Sequence, residues 1–183
     1  MSGVMTTDDV RQTLLEQLHG LVGTKFHSRF WVGGKDILNY GEFAGGAFIA
    51  LVLRMWGVND GFHLRISSIL TILEEAVRNN LLISIHKVVP QDQLRQAVGP
   101  LDVVMWGEMD FPGSPVKHMH AGISVDADRV VASSWMQGGR ATYLHVDRAG
   151  PADRPERPVV RLYRLNLPVV LGRWNEIVPE VKI

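Results

Sequence analysis

The residues best placed to do chemistry are a glycine-flanked segment, Gly41–Phe48, and a histidine that begins a later run, His120–Ile123. A nucleophile in the first turn of a helix is favoured as an anion by free backbone N–H groups and by the helix dipole. An imidazole on a strand packed opposite would act as its base. The glycines of this segment, Gly45 and Gly46, would let a substrate backbone come close. The pattern therefore predicts a nucleophile–base pair, or else tight helix packing beside an ordinary core histidine.

The nucleophile itself is missing from this pair. The chain contains no cysteine, which removes a thiol nucleophile. The lack of cysteine also excludes disulfides and thiolate metal ligands. The chain as written is therefore expected to be inert as a cysteine hydrolase.

Two other kinds of site fit the sequence less well. His118 and His120, two apart on a predicted strand, would point to one face and, with Glu108 or Asp110, offer nitrogen and oxygen ligands to a metal. A second pair of ligands at metal-site spacing is missing, so we predict neither a metal nor a cofactor. A serine hydrolase with a strand-to-helix elbow is excluded because no Gly-x-Ser-x-Gly string occurs.

Three aromatic residues are assigned two different roles, two in a substrate cleft and one in the core. Trp31 and Tyr40 lie in an aromatic, glycine-rich segment before the helix that would begin near Ala44, and they are the candidates for lining a substrate cleft. Trp106 ends a hydrophobic strand and is predicted to lie in the core.

The elements that must position these residues change character along the chain. Early apolar residues recur at helical spacing, which predicts helices over about 8–20, 44–55 and 66–79. Beyond residue 82, short β-branched runs between turn residues predict strands, with a short helix near Gln91–Val98. The predicted strands are Ile83–Val89, Leu101–Trp106, His120–Val125, Arg129–Ala132, Ala141–Val146 and Val159–Leu165. This order predicts an α+β domain, with early helices packed on an antiparallel sheet of about five or six strands.

The length and the end of the chain predict one domain with an extension. The chain has 183 residues, which is an ordinary length for a single core. We divide it into a domain over residues 1–166 and an apolar extension over residues 167–183 that should dock on a partner surface. The proline- and arginine-rich stretch Arg148–Pro158 is predicted to be a surface loop.

Composition excludes several classes of function. The 19 Lys and Arg balance the 19 Asp and Glu, so no excess positive charge is available for generic nucleic-acid binding. No apolar run is long enough to span a bilayer. Met1–Asp9 lacks the basic and apolar stretches of a secretory signal, so synthesis in the cytoplasm is expected.

The order of several motifs resembles the NlpC-type peptidoglycan endopeptidases, which are papain-like cysteine peptidases. That family's pattern is Gly-Thr-Pro-Tyr, Trp-Gly-Gly, Asp-Cys-Ser-Gly-Phe at a helix start, a Gly-Asp-Leu-Val-Phe strand and a His-Val-Gly-Ile strand. The matching segments here are Gly23–Phe26, Trp31–Gly34, Phe43–Gly46, Pro100–Trp106 and His120–Ile123. A finer resemblance, over Gly23–Arg29, is to the version found in phage tail-tip and tail-assembly proteins.

The resemblance implies a papain-like fold and assigns roles to several residues. Ala44 occupies the position of the family's nucleophilic cysteine, and His120 that of the base. The third polar residue, which orients the histidine, falls at or near Ala132, with Ser133 or Ser134 as a nearby substitute. Peptidoglycan stem peptides are the implied substrate, with Trp31, Tyr40 and Gly45 on the substrate side.

The resemblance leaves three functions open. The chain is a cell-wall endopeptidase or amidase scaffold of a phage tail tip in which the cysteine has been replaced, or a natural non-catalytic structural module of such a tail tip. In both cases the extension would contact other tail-tip proteins. It is otherwise a secreted antibacterial amidase toxin held as a Cys-to-Ala variant. The expected location is accordingly the virion tail tip or, after delivery, the bacterial periplasm.

Overall fold

The structure is a computed structural model of the 183-residue chain, and it describes most of the predicted strands and part of the early helical region. The described residues are 5–24, 31–32, 35–36, 48–49, 52–53, 56, 69–86, 89–111, 113–134, 140–146 and 159–177. Within these ranges the chain is α+β, with four α-helices and one six-stranded antiparallel open sheet. The predicted fold class is therefore confirmed at this level.

The first helix begins where the sequence predicts it. Helix α1 spans Thr7–Gly20, and Thr6 caps it: its hydroxyl accepts a hydrogen bond from the Asp9 N–H, while the Asp9 carboxylate accepts one from the Thr6 N–H at 2.8 Å. This reciprocal pair satisfies backbone N–H groups that a helix start leaves without partners. Three apolar residues at i, i+4 and i+8 are buried, namely Val10, Leu14 and Leu18.

The other three helices lie around the sheet. Helix α2 spans Ile69–Arg78, α3 spans Leu94–Ala97 after a short 3₁₀ turn at Gln91–Gln93, and α4 spans Leu167–Ile177. Positions 48, 49, 52 and 53, within the helix predicted over 44–55, are also helical and are buried.

The sheet contains all six predicted strands. Two short strands, β1 (Trp31–Val32) and β2 (Lys35–Asp36), form a separate antiparallel pair. The six-stranded sheet is formed by β3 (Leu82–His86), β4 (Val103–Glu108), β5 (Lys117–Ser124), β6 (Arg129–Ser134), β7 (Arg140–His145) and β8 (Val159–Leu165). Its strand order is β3-β8-β4-β5-β6-β7, so β4 lies near the middle and β3 and β7 are the edges.

Both faces of the sheet are covered, because side chains alternate between the faces along each strand. The helix-side core joins α1, α2, α4 and positions 48, 49, 52, 53 and 56 to one face of the sheet. The strand residues of this core include Val103, Met105, Ala121, Ile123 and Val131. The second core joins the segment around α3 to the other face; its members are Val89, Leu94, Val98, Val104, Trp106, Val130, Val146, Val159 and Leu162.

The extension begins as a helix that packs on this chain. In α4, Val170 is fully buried in the helix-side core. The indole N–H of Trp174 donates a hydrogen bond to the backbone carbonyl of Trp56. The first part of the predicted docking segment therefore uses apolar surface within the chain itself, while residues 178–183 lie outside the described residues.

An ion pair between a buried carboxylate and a half-exposed arginine holds the entry to the central strand β4. Asp102 is fully buried, and its carboxylate accepts hydrogen bonds from Arg164 Nε at 3.1 Å, from Arg164 Nη2 at 3.0 Å and from the Gly99 N–H at 2.8 Å. The Ser124 hydroxyl completes the turn by accepting from the Asp102 N–H at 2.9 Å. Burial raises the pKa of Asp102, and the hydrogen bonds from Arg164 and Gly99 oppose that rise.

Replacing Arg164 with methionine should lower the free energy of unfolding by about 1–3 kcal/mol at pH 7, because a buried carboxylate then loses its charged partner. The pKa of Asp102 should rise further in this variant. A carboxyl group whose pKa is raised by folding favours the folded state less as the pH rises through that pKa. The deficit should therefore be largest at neutral pH and shrink as the pH falls, which urea unfolding at a series of pH values measures.

The control is Arg78→Met, at an exposed position on α2. It should change the free energy of unfolding by less than about 0.5 kcal/mol. Equal losses in the two variants, or a loss independent of pH, would contradict the role given to Arg164.

Candidate functional site

His120 lies on the central part of the sheet, against a buried aromatic residue. It is on β5 directly opposite Trp106 of β4, and the two rings stack with centroids 5.8 Å apart and planes inclined by 27°. Trp106 is fully buried, as the sequence predicts, and its indole N–H donates to the Val146 carbonyl at 3.0 Å. The imidazole is itself half-buried. Trp106 therefore provides a fixed surface against which the imidazole packs.

Gly122 lets the neighbouring strand come close beside this histidine. A Cβ atom at residue 122 would lie 3.0 Å from the Ala132 Cβ, 3.0 Å from the Val131 carbonyl oxygen and 3.4 Å from the Trp106 ring. The two distances of 3.0 Å are shorter than ordinary van der Waals contacts. The glycine of the His120–Ile123 run is thus required by the packing of β5 on β6, whatever its part in substrate binding.

His120 lies on the face of the second core. Its neighbours along β5, Ala121 and Ile123, belong to the helix-side core, so alternation puts His120 and Gly122 on the other face. The stacking on Trp106, a member of the second core, agrees with this assignment.

Two of the candidates for the third residue, Ala132 and Ser133, lie on opposite faces of β6, and the side chain of Ser134 is outside the described residues. Ala132 is fully buried and follows Val130 and Val131, which belong to the second core and the helix-side core respectively. Alternation therefore puts Ala132 on the face of His120, and Ser133, which is 1% exposed, on the opposite face. The residue on the histidine's face thus carries no polar group, and the residue with a hydroxyl faces away.

Several predicted site residues lie outside the described residues. These are Ala44, Gly45 and Tyr40. The backbone of Trp31 forms part of β1, but its side chain is also outside the description. The four described helical positions beyond Ala44 pack into the helix-side core, across the sheet from the face of His120. The pairing of position 44 with His120 stays a prediction.

The first two residues of the first motif, Gly23 and Thr24, lie along the edge strand β7. The Gly23 N–H donates to the Ala141 carbonyl at 2.8 Å, and the Ala141 N–H donates to the Thr24 carbonyl at 3.1 Å. Gly23 has φ = +85°, a conformation that glycine adopts without strain. Gly23–Thr24 therefore covers part of the open edge of the sheet.

At the possible metal site, Asp110 is bound to a lysine. Asp110 forms an ion pair with Lys117 Nζ at 2.6 Å, and both side chains are more than half exposed. No group of three or more His, Cys, Asp or Glu residues that could hold a metal occurs in the described part of the chain. The side chain of His118 is outside that part.

The sequence analysis missed one exposed histidine cluster. His19 Nδ1, at the end of α1, lies 2.6 Å from the Tyr143 hydroxyl on β7, and the Arg129 guanidinium lies 5.5 Å from the centre of the same ring. Only the folded chain brings these residues together, because more than a hundred residues separate His19 from Tyr143. The placement of Ala132 and Ser133 on opposite faces, in contrast, follows from strand periodicity alone.

Among the helices that the structure describes, none has the length and apolar character needed to cross a membrane. Comparison of the chain with protein-family models, curated proteins and solved structures finds no match in any of the three. The function must therefore be argued from the residues themselves.

Replacing Gly122 with alanine should lower the free energy of unfolding by about 1–3 kcal/mol, because the added methyl group overpacks the contact between β5 and β6. The matched control is Gly172→Ala on α4, where an added Cβ meets no heavy atom within 4 Å. That change should raise the free energy of unfolding by about 0.5–1 kcal/mol, since alanine is a better helix former than glycine. Urea unfolding of both variants measures the difference, and a neutral Gly122→Ala would contradict the close packing.

Proposed function

We propose that this chain is an NlpC-type peptidoglycan endopeptidase or amidase scaffold of a phage tail tip, inert as written because Ala44 occupies the nucleophile position. The observation that supports this most is the setting of His120: it lies on the strand beside a buried strand of the Leu-Asp-Val-Val kind, packed against Trp106, with Gly122 two residues later. These features suit a histidine held in one orientation at the margin of a core.

The proposed chemistry needs a thiol at position 44 and no cofactor. A thiolate there would attack the carbonyl carbon of a stem-peptide amide, after His120 accepts the thiol proton. His120 would then give that proton to the leaving amine, and water would hydrolyse the thioester. Backbone N–H groups at the helix start would stabilise the oxyanion. This mechanism requires position 44 to reach the face of the sheet that carries His120.

The second candidate is a natural non-catalytic structural module of a phage tail tip. The third-residue position favours it, because Ala132 is apolar and fully buried and Ser133 lies on the other face. A catalytic histidine is normally oriented by a polar partner, and these two positions do not supply one. In this case Arg148–Pro158 and residues 178–183 would make the contacts with other tail-tip proteins.

The third candidate, a secreted antibacterial amidase toxin carrying a Cys-to-Ala change, shares the mechanism with the first. It differs in its delivery to the periplasm of another cell.

The Ala44→Cys variant tests the proposed pair directly, because it would carry the chain's single thiol. If His120 is the base, the introduced thiol should have a pKa at least about one unit below the ordinary value of about 8.5, because a nearby imidazolium stabilises the thiolate. Adding His120→Ala should return the pKa toward that value. The rate of alkylation by iodoacetamide as a function of pH measures the pKa without knowledge of the substrate.

The control for this experiment is Gln12→Cys, on the exposed side of α1. Its thiol should titrate normally, with or without His120. In parallel, Ala44→Cys should release stem-peptide fragments from purified peptidoglycan, detected by liquid chromatography, whereas the chain as written and the double variant should not. An ordinary pKa that ignores His120, with no fragments released, would contradict the catalytic scaffold and favour the structural module.

A further inference from the structure

An open cavity of about 340 Å³ lies at the end of the sheet where β4 begins and β8 ends. It is separate from the surroundings of His120, which pairs with the far part of β4. Four elements of the chain build it: α1, the turn before β4, the end of β8 and the start of α4. Its lining residues are Arg11, Gly99, Pro100, Leu101, Arg164, Leu165 and Leu167.

One cationic wall of the cavity is held rigidly. Arg164 binds the buried Asp102 carboxylate through Nε and Nη2, and its Nη2 also donates to the Ala97 carbonyl at 3.3 Å. Its Nη1 makes no hydrogen bond within the described residues. The guanidinium is thus fixed by two of its nitrogens and keeps the third for another acceptor.

The second cationic wall comes from α1. Arg11 uses Nη1 to bind Asp8, an exposed carboxylate one helical turn earlier. Its Nε and Nη2 have no hydrogen-bond partner in the described part of the chain. The described lining therefore holds two guanidinium groups with spare donors, and no carboxylate is among the residues that line it.

The remaining walls of the cavity are mostly apolar, and the backbone N–H groups of Gly99 and Leu101 are already used. The Gly99 N–H binds Asp102, and the Leu101 N–H donates to the Ser124 carbonyl at 2.8 Å. Leu165 and Leu167 add aliphatic surface. Leu167 is also the first residue of α4, whose positive dipole end favours an anion nearby.

Leu101 adopts φ = +67°, which costs energy for a residue with a side chain. It is kept there by the hydrogen bond to Ser124 and by its own burial. The turn that forms the floor of the cavity is therefore a fixed, strained feature, of the kind that often accompanies binding sites.

The geometry points to this cavity as a binding site for a carboxylate that is attached to an aliphatic group, such as the carboxyl-terminal end of a peptide. Arg11 can bind a carboxylate as a planar fork through its spare Nε and Nη2, and Arg164 can add one hydrogen bond from its spare Nη1. The apolar walls then cover the aliphatic part. A free inorganic phosphate would leave the aliphatic surface of Leu101, Leu165 and Leu167 uncovered. The inference is independent of the proposed function, since no residue of the candidate catalytic pair takes part.

The test uses the full chain, labelled with ¹⁵N, and follows the amide signals of residues around the cavity during titration with N-acetyl-leucine. We expect saturable shifts at Gly99 and Leu101, with a dissociation constant on the order of 1 mM for so small a ligand. N-acetyl-leucinamide, which lacks the carboxylate, should bind at least about tenfold more weakly. Sodium chloride at matched ionic strength corrects for non-specific screening.

The variant that tests the site is Arg11→Gln, because its side chain is partly exposed and does not support Asp102. It should weaken N-acetyl-leucine binding about tenfold. The matched control is Arg95→Gln, whose arginine is also exposed and also paired with an aspartate, Asp128. It should leave binding unchanged.

Titration with inorganic phosphate in the same way tests whether the cavity prefers a different anion. Phosphate binding tighter than N-acetyl-leucine would overturn the assignment to a carboxylate. Equal binding of acid and amide, equal effects of the two arginine variants, or no saturable shift up to 50 times the expected constant, about 50 mM, would overturn the site itself.

Discussion

The exclusion of water from both faces of β4 is the constraint on which the rest of this structure depends. Val103, Val104, Met105 and Trp106 are all fully buried, two toward each core. Such a strand can form only if its neighbours β5 and β8 are paired on both sides and if each face has its own cover. The helices supply one cover, and the segment around α3 supplies the other. The ion pair between buried Asp102 and Arg164 then determines where the strand begins, because it joins the turn before β4 to the end of β8.

His120 depends on the same strand. Its ring packs on Trp106, and its position relative to β6 follows from the close contact that Gly122 allows with Ala132. This arrangement packs the imidazole against a buried aromatic ring. It suits the proposed peptidase scaffold, while Ala132, at the third-residue position of the resemblance, carries no polar group that could orient the histidine. Catalysis by this histidine requires position 44 to lie on the face of the sheet that carries His120.

The two proposed sites use opposite ends of β4 and different chemistry. Near its end, an imidazole lies at the margin of an apolar core. At its beginning, a buried carboxylate fixes one arginine so that a second anion would meet a preoriented donor. The energetic basis is common to both: a side chain that is held by a buried neighbour loses little additional entropy when it binds a ligand.

The sequence by itself determined the elements, because hydrophobic periodicity and capping residues act locally. It located α1 from apolar residues at helical spacing, the six strands from their β-branched runs, and the burial of Trp106 from the strand that it ends. Strand periodicity also predicts that Ala132 and Ser133 lie on opposite faces of β6. What only the tertiary structure decided is which distant residues meet: Arg164 with Asp102, His19 with Tyr143, and Trp174 with Trp56. These contacts depend on the order of strands in the sheet and on the packing of helices across it, and no local pattern encodes either, since both minimise the exposed apolar surface of the whole chain at once.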